Sequence, residues 1–207
     1  MHLLDTDPYP WPYDADLRGD RLAMLVLGAQ HGWAAVSSDL AGVRGALHTA
    51  MDAVAHAGGS LVVVRHGVPR VRRRSDRPPS VPVVGSDAWS LDESLLAGRH
   101  DVLVVDAGGL SAFATSHLDD VLRAEGRDQL VLGGYASELT VDSTVRAAND
   151  RGYECLVLTD ACAPLDPDTG ARAHHSVTMS GGIFGAIGPT ASLVAALAAP
   201  VDPVPVA

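Results

Sequence analysis

Apolar runs of four to six residues, each followed by a segment of helical period, constrain this chain most. Ala23–Leu27, Ser60–Val64, Asp101–Val105, Gln129–Leu132 and Glu154–Leu158 read as strands. Between them, Gly42–Ala57 repeats apolar residues at helical spacing, with Val43, Leu47, Met51, Val54 and Ala55 on one side. Ser116–Glu125, Thr140–Asp150, Thr169–Met179 and Thr190–Ala198 also read as helices, and Ile183–Ile187 as a short sixth strand. A strand with no polar alternation must be covered on both faces. Strand–helix alternation of this kind therefore predicts an α/β fold with a mostly parallel sheet of six strands and right-handed crossovers.

The chain has 207 residues, enough for one domain with a full core. No linker or internal repeat divides 1–207. The Pro- and Asp-rich residues 1–20 read as a wrapping arm, and 199–207 as a flexible tail. Arginine supplies all 15 basic residues against 25 acidic ones, for a net charge of −10. That balance argues against nucleic acid or an anionic membrane as partner. One stretch runs the other way, with Arg65, Arg70, Arg72, Arg73, Arg74 and Arg77 close together. It reads as a solvated loop, or as a clamp for an acidic ligand or a neighbouring subunit. No apolar run has membrane-spanning length and the first twenty residues do not resemble a signal peptide. Cys155 and Cys162, both in or beside a strand, fit buried thiols in a reducing cytoplasm. Abundant Ala, Gly and Arg without Lys points to a GC-rich bacterial genome.

In an open parallel sheet, ligands bind beyond the carboxyl ends of the strands. The residues delivered there are Gly28, Gln30 and His31, then Arg65 and His66, then 106–113, then 133–140, and Asp160. Asp160 reads as a backbone-bonding carboxylate.

Several ordered segments stand out: "PYPWPYD" before "LAMLVLGAQ", then "VDAGGLSAFATSHLDDVLRAEG", "LVLGGYASELTVDSTVRAANDRGYECLVLTDACA" and "HSVTMSGGIFGAI". Together they resemble one family, the isochorismatase-like cysteine hydrolases, in its ureidoacrylate and biuret amidohydrolase branch. The likeness spans about residues 8–198 and is weakest through 65–95. It implies a Rossmann-like, three-layer α/β/α sandwich that forms a homodimer or higher homo-oligomer. It also implies a cis non-proline peptide in the loop Tyr135–Ala136–Ser137.

The family's chemistry uses an Asp ending the first strand, a Lys after the third and a Cys nucleophile at the helix after the fourth. The resemblance places Gly28, Ala107 and Thr140 at those three positions. No lysine exists to substitute, and Cys155 and Cys162 belong to the fifth strand and the turn after it. Some relatives bind zinc through Asp-x-His. The corresponding stretch here is Gly28-Ala29-Gln30, so no metal is expected, and no cofactor.

Among the remaining residues, His31 is the candidate acid or base, because an imidazole titrates near neutrality. Its bland alternative is a surface or packed ring. Thr140 is a weaker candidate nucleophile, since threonine needs an adjacent base; otherwise its hydroxyl caps or packs the helix start. Arg65 and His66 are candidates for holding an anion. Gly28, Gln30, Trp33, Ala107, Phe113, Tyr135, Ala136 and Ser137 are expected to line the pocket, with core packing as the alternative for Trp33 and Phe113.

Three functions compete for a small-molecule ligand. The leading one is a repurposed bacterial enzyme, not an amidohydrolase, in which a pocket histidine moves protons. The alternative is an inactive pseudo-hydrolase that binds a ligand or supports a partner subunit. The last is a weak hydrolase without a covalent intermediate.

Overall fold

The computed structural model describes residues 1–38, 40–68, 82–96 and 98–199. The readings over Arg70–Arg77 and 200–207 lie outside the described residues. Six strands form one parallel sheet in the order β3-β2-β1-β4-β5-β6. They are β1 (Leu22–Leu27), β2 (Ser60–His66), β3 (Val102–Ala107), β4 (Gln129–Tyr135), β5 (Glu154–Ala163) and β6 (Ala186–Gly188). The helices are α1 (His31–Ala34), α2 (Leu40–His56), α3 (Glu93–Leu96), α4 (Leu118–Ala124), α5 (Asp142–Asn149), α6 (Pro167–Gly182) and α7 (Thr190–Ala198). Strand order reverses between β1 and β4, so the crevice beyond Leu27 and Tyr135 is the topological switch point.

Side-chain alternation feeds two cores, one on each sheet face. Met24 and Val26 of β1 pack with Val43, Leu47, Met51 and Val54 of α2. Ala23, Leu25 and Leu27 face the other way, with Leu118 and Leu122 of α4 and Val145 and Ala148 of α5. All six side chains of β1 are buried, which is why that strand carries no polar residue. Among the described residues, no helix is long and apolar enough to cross a membrane.

Several element ends differ from the sequence reading. β4 continues through Gly133-Gly134 to Tyr135. A Cβ on Gly134 would lie 2.0 Å from the Leu27 carbonyl oxygen, so glycine there permits strand contact rather than ending the strand. β5 runs to Ala163 with Asp160 inside it. That carboxylate accepts from the Thr190 backbone N–H at 2.9 Å and its hydroxyl at 2.8 Å, holding the start of α7. The segment read as one helix from Thr140 opens instead with a π-helical turn, Ser137–Val141. The sixth strand is only Ala186–Gly188. The N-terminal arm is pinned: Leu3 and Trp11 bond each other and are buried, and Asp7 pairs with Ile187 of β6.

Candidate functional site

The sheet's carboxyl edge brings together the ends of β3, β2, β1 and β4. Gly28 follows β1 with φ +61, a left-handed conformation that favours glycine. A Cβ there would lie 1.9 Å from the Tyr135 carbonyl oxygen and 3.1 Å from Cδ1 of Trp33. The vacant side-chain position of Gly28 is therefore filled by the main chain of β4. The Tyr135–Ala136 peptide is cis, as the resemblance implies.

Thr140 lies in the π-helical turn and is fully buried. Its hydroxyl donates to the Tyr135 carbonyl oxygen at 2.5 Å and lies 3.3 Å from that of Ala136. Its backbone N–H also bonds Ala136 O, at 3.0 Å. The same Tyr135 oxygen thus faces Gly28 on one side and receives Thr140 on the other.

Gln30 is buried and fully engaged. Its Nε2 donates to His66 O at 3.1 Å and Trp89 O at 3.0 Å, and its Oε1 accepts from the His66 backbone N–H at 2.7 Å. It ties the ends of β1 and β2 together rather than orienting His31. His31 begins α1 with an exposed side chain, and its backbone N–H donates to Ser90 O at 3.0 Å. Its ring makes no hydrogen bond to another described residue.

His66 sits beside Ala107 in the β2–β3 register, so both side chains leave the same sheet face. Both are buried. His66 Nδ1 is 3.1 Å from Gly109 O and donates to that carbonyl, which leaves Nε2 buried as an acceptor without a partner among the described residues. Burial pushes the imidazole down to about 4, although the Gly109 contact works in the opposite direction. His66 is neutral near pH 7 and supplies no charge to an anion. Arg65 is also committed: it makes two bonds to Asp106, at 2.6 and 2.9 Å, and stacks over Trp89 at 3.9 Å. An anion at this pair would have to displace Asp106.

The His66 geometry has a pH consequence. A protonated ring is disfavoured only in the folded state, so the unfolded chain binds one more proton between pH 6.5 and about 4. Stability should fall as pH drops through that window, by about 1.4 kcal/mol per pH unit and about 3 kcal/mol in all. Urea unfolding of wild type and His66→Gln at pH 7, 6, 5 and 4 checks this. The variant should lose one proton's worth of slope; parallel curves would refute a neutral His66. His174, also lowered by burial, adds slope of the same sign to both proteins.

The remaining candidates divide. Trp33, Tyr135, Ala136 and Ser137 are buried around the switch point. Phe113 does not join them: it stacks on Tyr153, with ring centroids 5.7 Å apart, beneath Arg151 in the α4 and α5 layer. Among the described residues, Trp33 Nε1, Ser137 Oγ and His66 Nε2 are buried without a hydrogen-bond partner, and the buried Tyr135 hydroxyl lies beside the Arg44 guanidinium. Burial also pushes the Tyr135 phenol up to about 12. Cys155 and Cys162 are free and buried, and burial raises both thiols, Cys162 to about 12.

Two supporting carboxylates carry no local sequence signal. Asp92, nearly buried, meets Arg44 at 2.5 Å and the Ser94 hydroxyl at 2.5 Å. Burial alone would raise its carboxyl, but Ser94 and Arg44 hold it below the usual range. Glu138 reaches Leu165 N at 3.0 Å and the Thr169 hydroxyl at 2.8 Å, joining the π-helical turn to the start of α6. Apart from Ser94, two residues after Asp92, their partners lie 27 to 48 residues away, so no local spacing links them.

Residues 22–187 match the Isochorismatase domain family. Among curated proteins, the chain is 30% identical over 130 residues to a ureidoacrylate amidohydrolase of Methylobacterium radiotolerans, covering 63% of this chain and 49% of that protein. It is 42% identical over 53 residues to an uncharacterised isochorismatase family protein of Bacillus subtilis, covering 26% and 29%. The chain thus spans about half or less of the length of these two relatives. A cysteine hydrolase from Pseudomonas syringae superposes with TM-score 0.73 at 21% identity, over 87% of this chain and 94% of that one. The nicotinamidase of Bacillus subtilis superposes with TM-score 0.69 at 18% identity, over 81% and 99%. With its parallel six-stranded sheet and this match over most of its length, the chain belongs to the isochorismatase-like hydrolase family.

Proposed function

We propose that this chain is a non-hydrolytic member of the family, a ligand-holding protein that retains the scaffold without the cysteine chemistry. One observation carries the proposal. The positions that the resemblance gives to the acid and the nucleophile, Gly28 and Thr140, meet at a single main-chain oxygen, that of Tyr135. A carbonyl oxygen is too weak a base to take the threonine proton, so Thr140 is a packing hydroxyl rather than a nucleophile. Ala107 brings no charge that would stabilise an oxyanion. The exposed ring of His31 lends no support to a proton-transfer role inside the crevice, so the repurposed-enzyme reading ranks second.

The ligand-holding part rests on the unpartnered atoms. Trp33 Nε1 offers a donor and the Ser137 hydroxyl either role, close to Gly28 and Thr140, while His66 Nε2 offers an acceptor from the other face of the sheet. Each buried unmet group costs about 1–3 kcal/mol, which a bound molecule would recover. With Arg65 neutralised and His66 uncharged, the fitting ligand is small, polar and neutral.

The test is amide hydrolysis together with thiol labelling. Purified protein offered ureidoacrylate and nicotinamide should release no ammonia above background. Iodoacetamide should label neither Cys155 nor Cys162 until denaturant is added. Hydrolysis above roughly 10² M⁻¹s⁻¹, well below the usual enzyme range of about 10⁴–10⁸ but far above no catalysis, would overturn the proposal.

A further inference from the structure

The opposite edge of the sheet holds a separate cavity of about 440 Å³. It lies among the N-terminal arm, the start of β5 and the loop that leaves α6 for β6. Gly152 and Gly181 adopt φ +80 and +76, and a Cβ on either would meet nothing within 4 Å. A Cβ on Gly182 would lie 2.5 Å from the Tyr9 ring, so its absence lets that ring pack onto the backbone.

The cavity combines aromatic walls with negative charge. Tyr9 and Tyr13 pack edge to face, with centroids 5.1 Å apart and planes at 68°. Tyr13 is 68% exposed and forms the lip. Glu154 Oε1 accepts from the backbone N–H of Tyr13 at 2.6 Å and of Asp14 at 3.2 Å. Its Oε2 makes no hydrogen bond among the described residues. The exposed Asp14 carboxylate also lines the cavity. Burial, and next the Glu154 carboxylate, push the Tyr9 phenol up to about 12, consistent with a negative field there. Two nearby cations have carboxylate partners of their own, although the Arg21 charge also reaches Glu154. Arg21 makes two bonds to Asp128, at 2.8 and 2.5 Å, and Arg146 binds Asp142 and Ser176 while covering one face of Phe184.

We propose that this cavity binds an organic cation, an ammonium group on a small apolar body, between the Tyr9–Tyr13 pair and Glu154. Aromatic faces attract a cation through the ring quadrupole, and a carboxylate with a free oxygen adds direct charge pairing. The site shares no residue with the switch-point crevice and does not depend on how that crevice functions.

Choline is the probe, and 3,3-dimethylbutan-1-ol its uncharged counterpart of the same shape. In amide NMR titrations of the full chain, choline should give saturable shifts confined to residues 9–14, 149–155 and 180–185. A Kd on the order of 1 mM suits so small a ligand. The alcohol should bind at least tenfold more weakly. Glu154→Gln, which keeps an acceptor for the arm N–H groups, should weaken choline about tenfold, and Tyr13→Ala, at an exposed position, several-fold. The proposal fails if choline does not saturate by about 50 mM, if the alcohol binds equally well, or if the shifts lie elsewhere.

Discussion

Gly28→Asp should destabilise the protein by about 2–5 kcal/mol. A residue with a Cβ in the left-handed region costs about 1–2 kcal/mol by itself. The remainder comes from overlap: the new Cβ would lie 1.9 Å from the Tyr135 carbonyl oxygen, a main-chain atom that cannot swing aside. Forcing the β1 and β4 ends apart costs a further 1–3 kcal/mol or so in a packed region. For a chain of this size, the melting temperature should drop by roughly 10 °C. Gly126→Ala is the internal control. Gly126 has φ +69, but a Cβ there meets nothing within 4 Å, so it carries only the conformational cost. Denaturant unfolding of both variants isolates the clash. If Gly28→Asp came within about 1 kcal/mol of Gly126→Ala, the crevice would have room for the family's aspartate and the proposed loss of hydrolysis would lose its main support.

Gln30→Glu should have an effect of similar size by a different route. The amide donates to two carbonyls and accepts one N–H with no exposure to solvent. A carboxylate would turn an oxygen toward the His66 and Trp89 carbonyls, leaving them unmet beside a buried negative charge. The expected loss is about 3–5 kcal/mol at pH 7. Protonation restores one donor, so the folded state should raise the pKa of the new carboxyl. The deficit relative to wild type should therefore shrink as pH falls from 7 toward 5. Urea unfolding of both proteins at each pH measures that difference. A deficit that does not change with pH would mean that the introduced carboxylate has found water, and that Gln30 is not the sealed link between β1 and β2.

Much of the fold was legible because burial leaves a linear trace. The apolar runs located the starts of five strands to within about one residue, and the period of Gly42–Ala57 found α2. Errors fell where a side chain's role depends on a remote partner. Gly133-Gly134 looked like a stop, yet Gly134 continues β4 because Leu27 O needs the space. Asp160 looked like the end of β5, yet it stays in the strand because Thr190 lies within its reach. Phe113 had the right residue type for the crevice, and Tyr153 holds it elsewhere.

The candidate site divides along the same line. Arg65 and His66 read as positive because sequence reports charge types and not their surroundings. Asp106 cancels one and burial discharges the other. His31 and Gln30, one residue apart, have opposite fates: one side chain is exposed and the other sealed.

The sequence by itself determined the alternating α/β architecture, the strand ends that converge, and the absence of lysine. These follow from local apolar periodicity and composition, which no packing can change. Only the tertiary structure decided that the Tyr135 carbonyl joins Gly28 to Thr140, that His66 is neutral, and that an acidic, aromatic cavity opens at the far sheet edge. Each depends on distances of a few ångströms between segments tens of residues or more apart, and no local pattern along the chain encodes such distances.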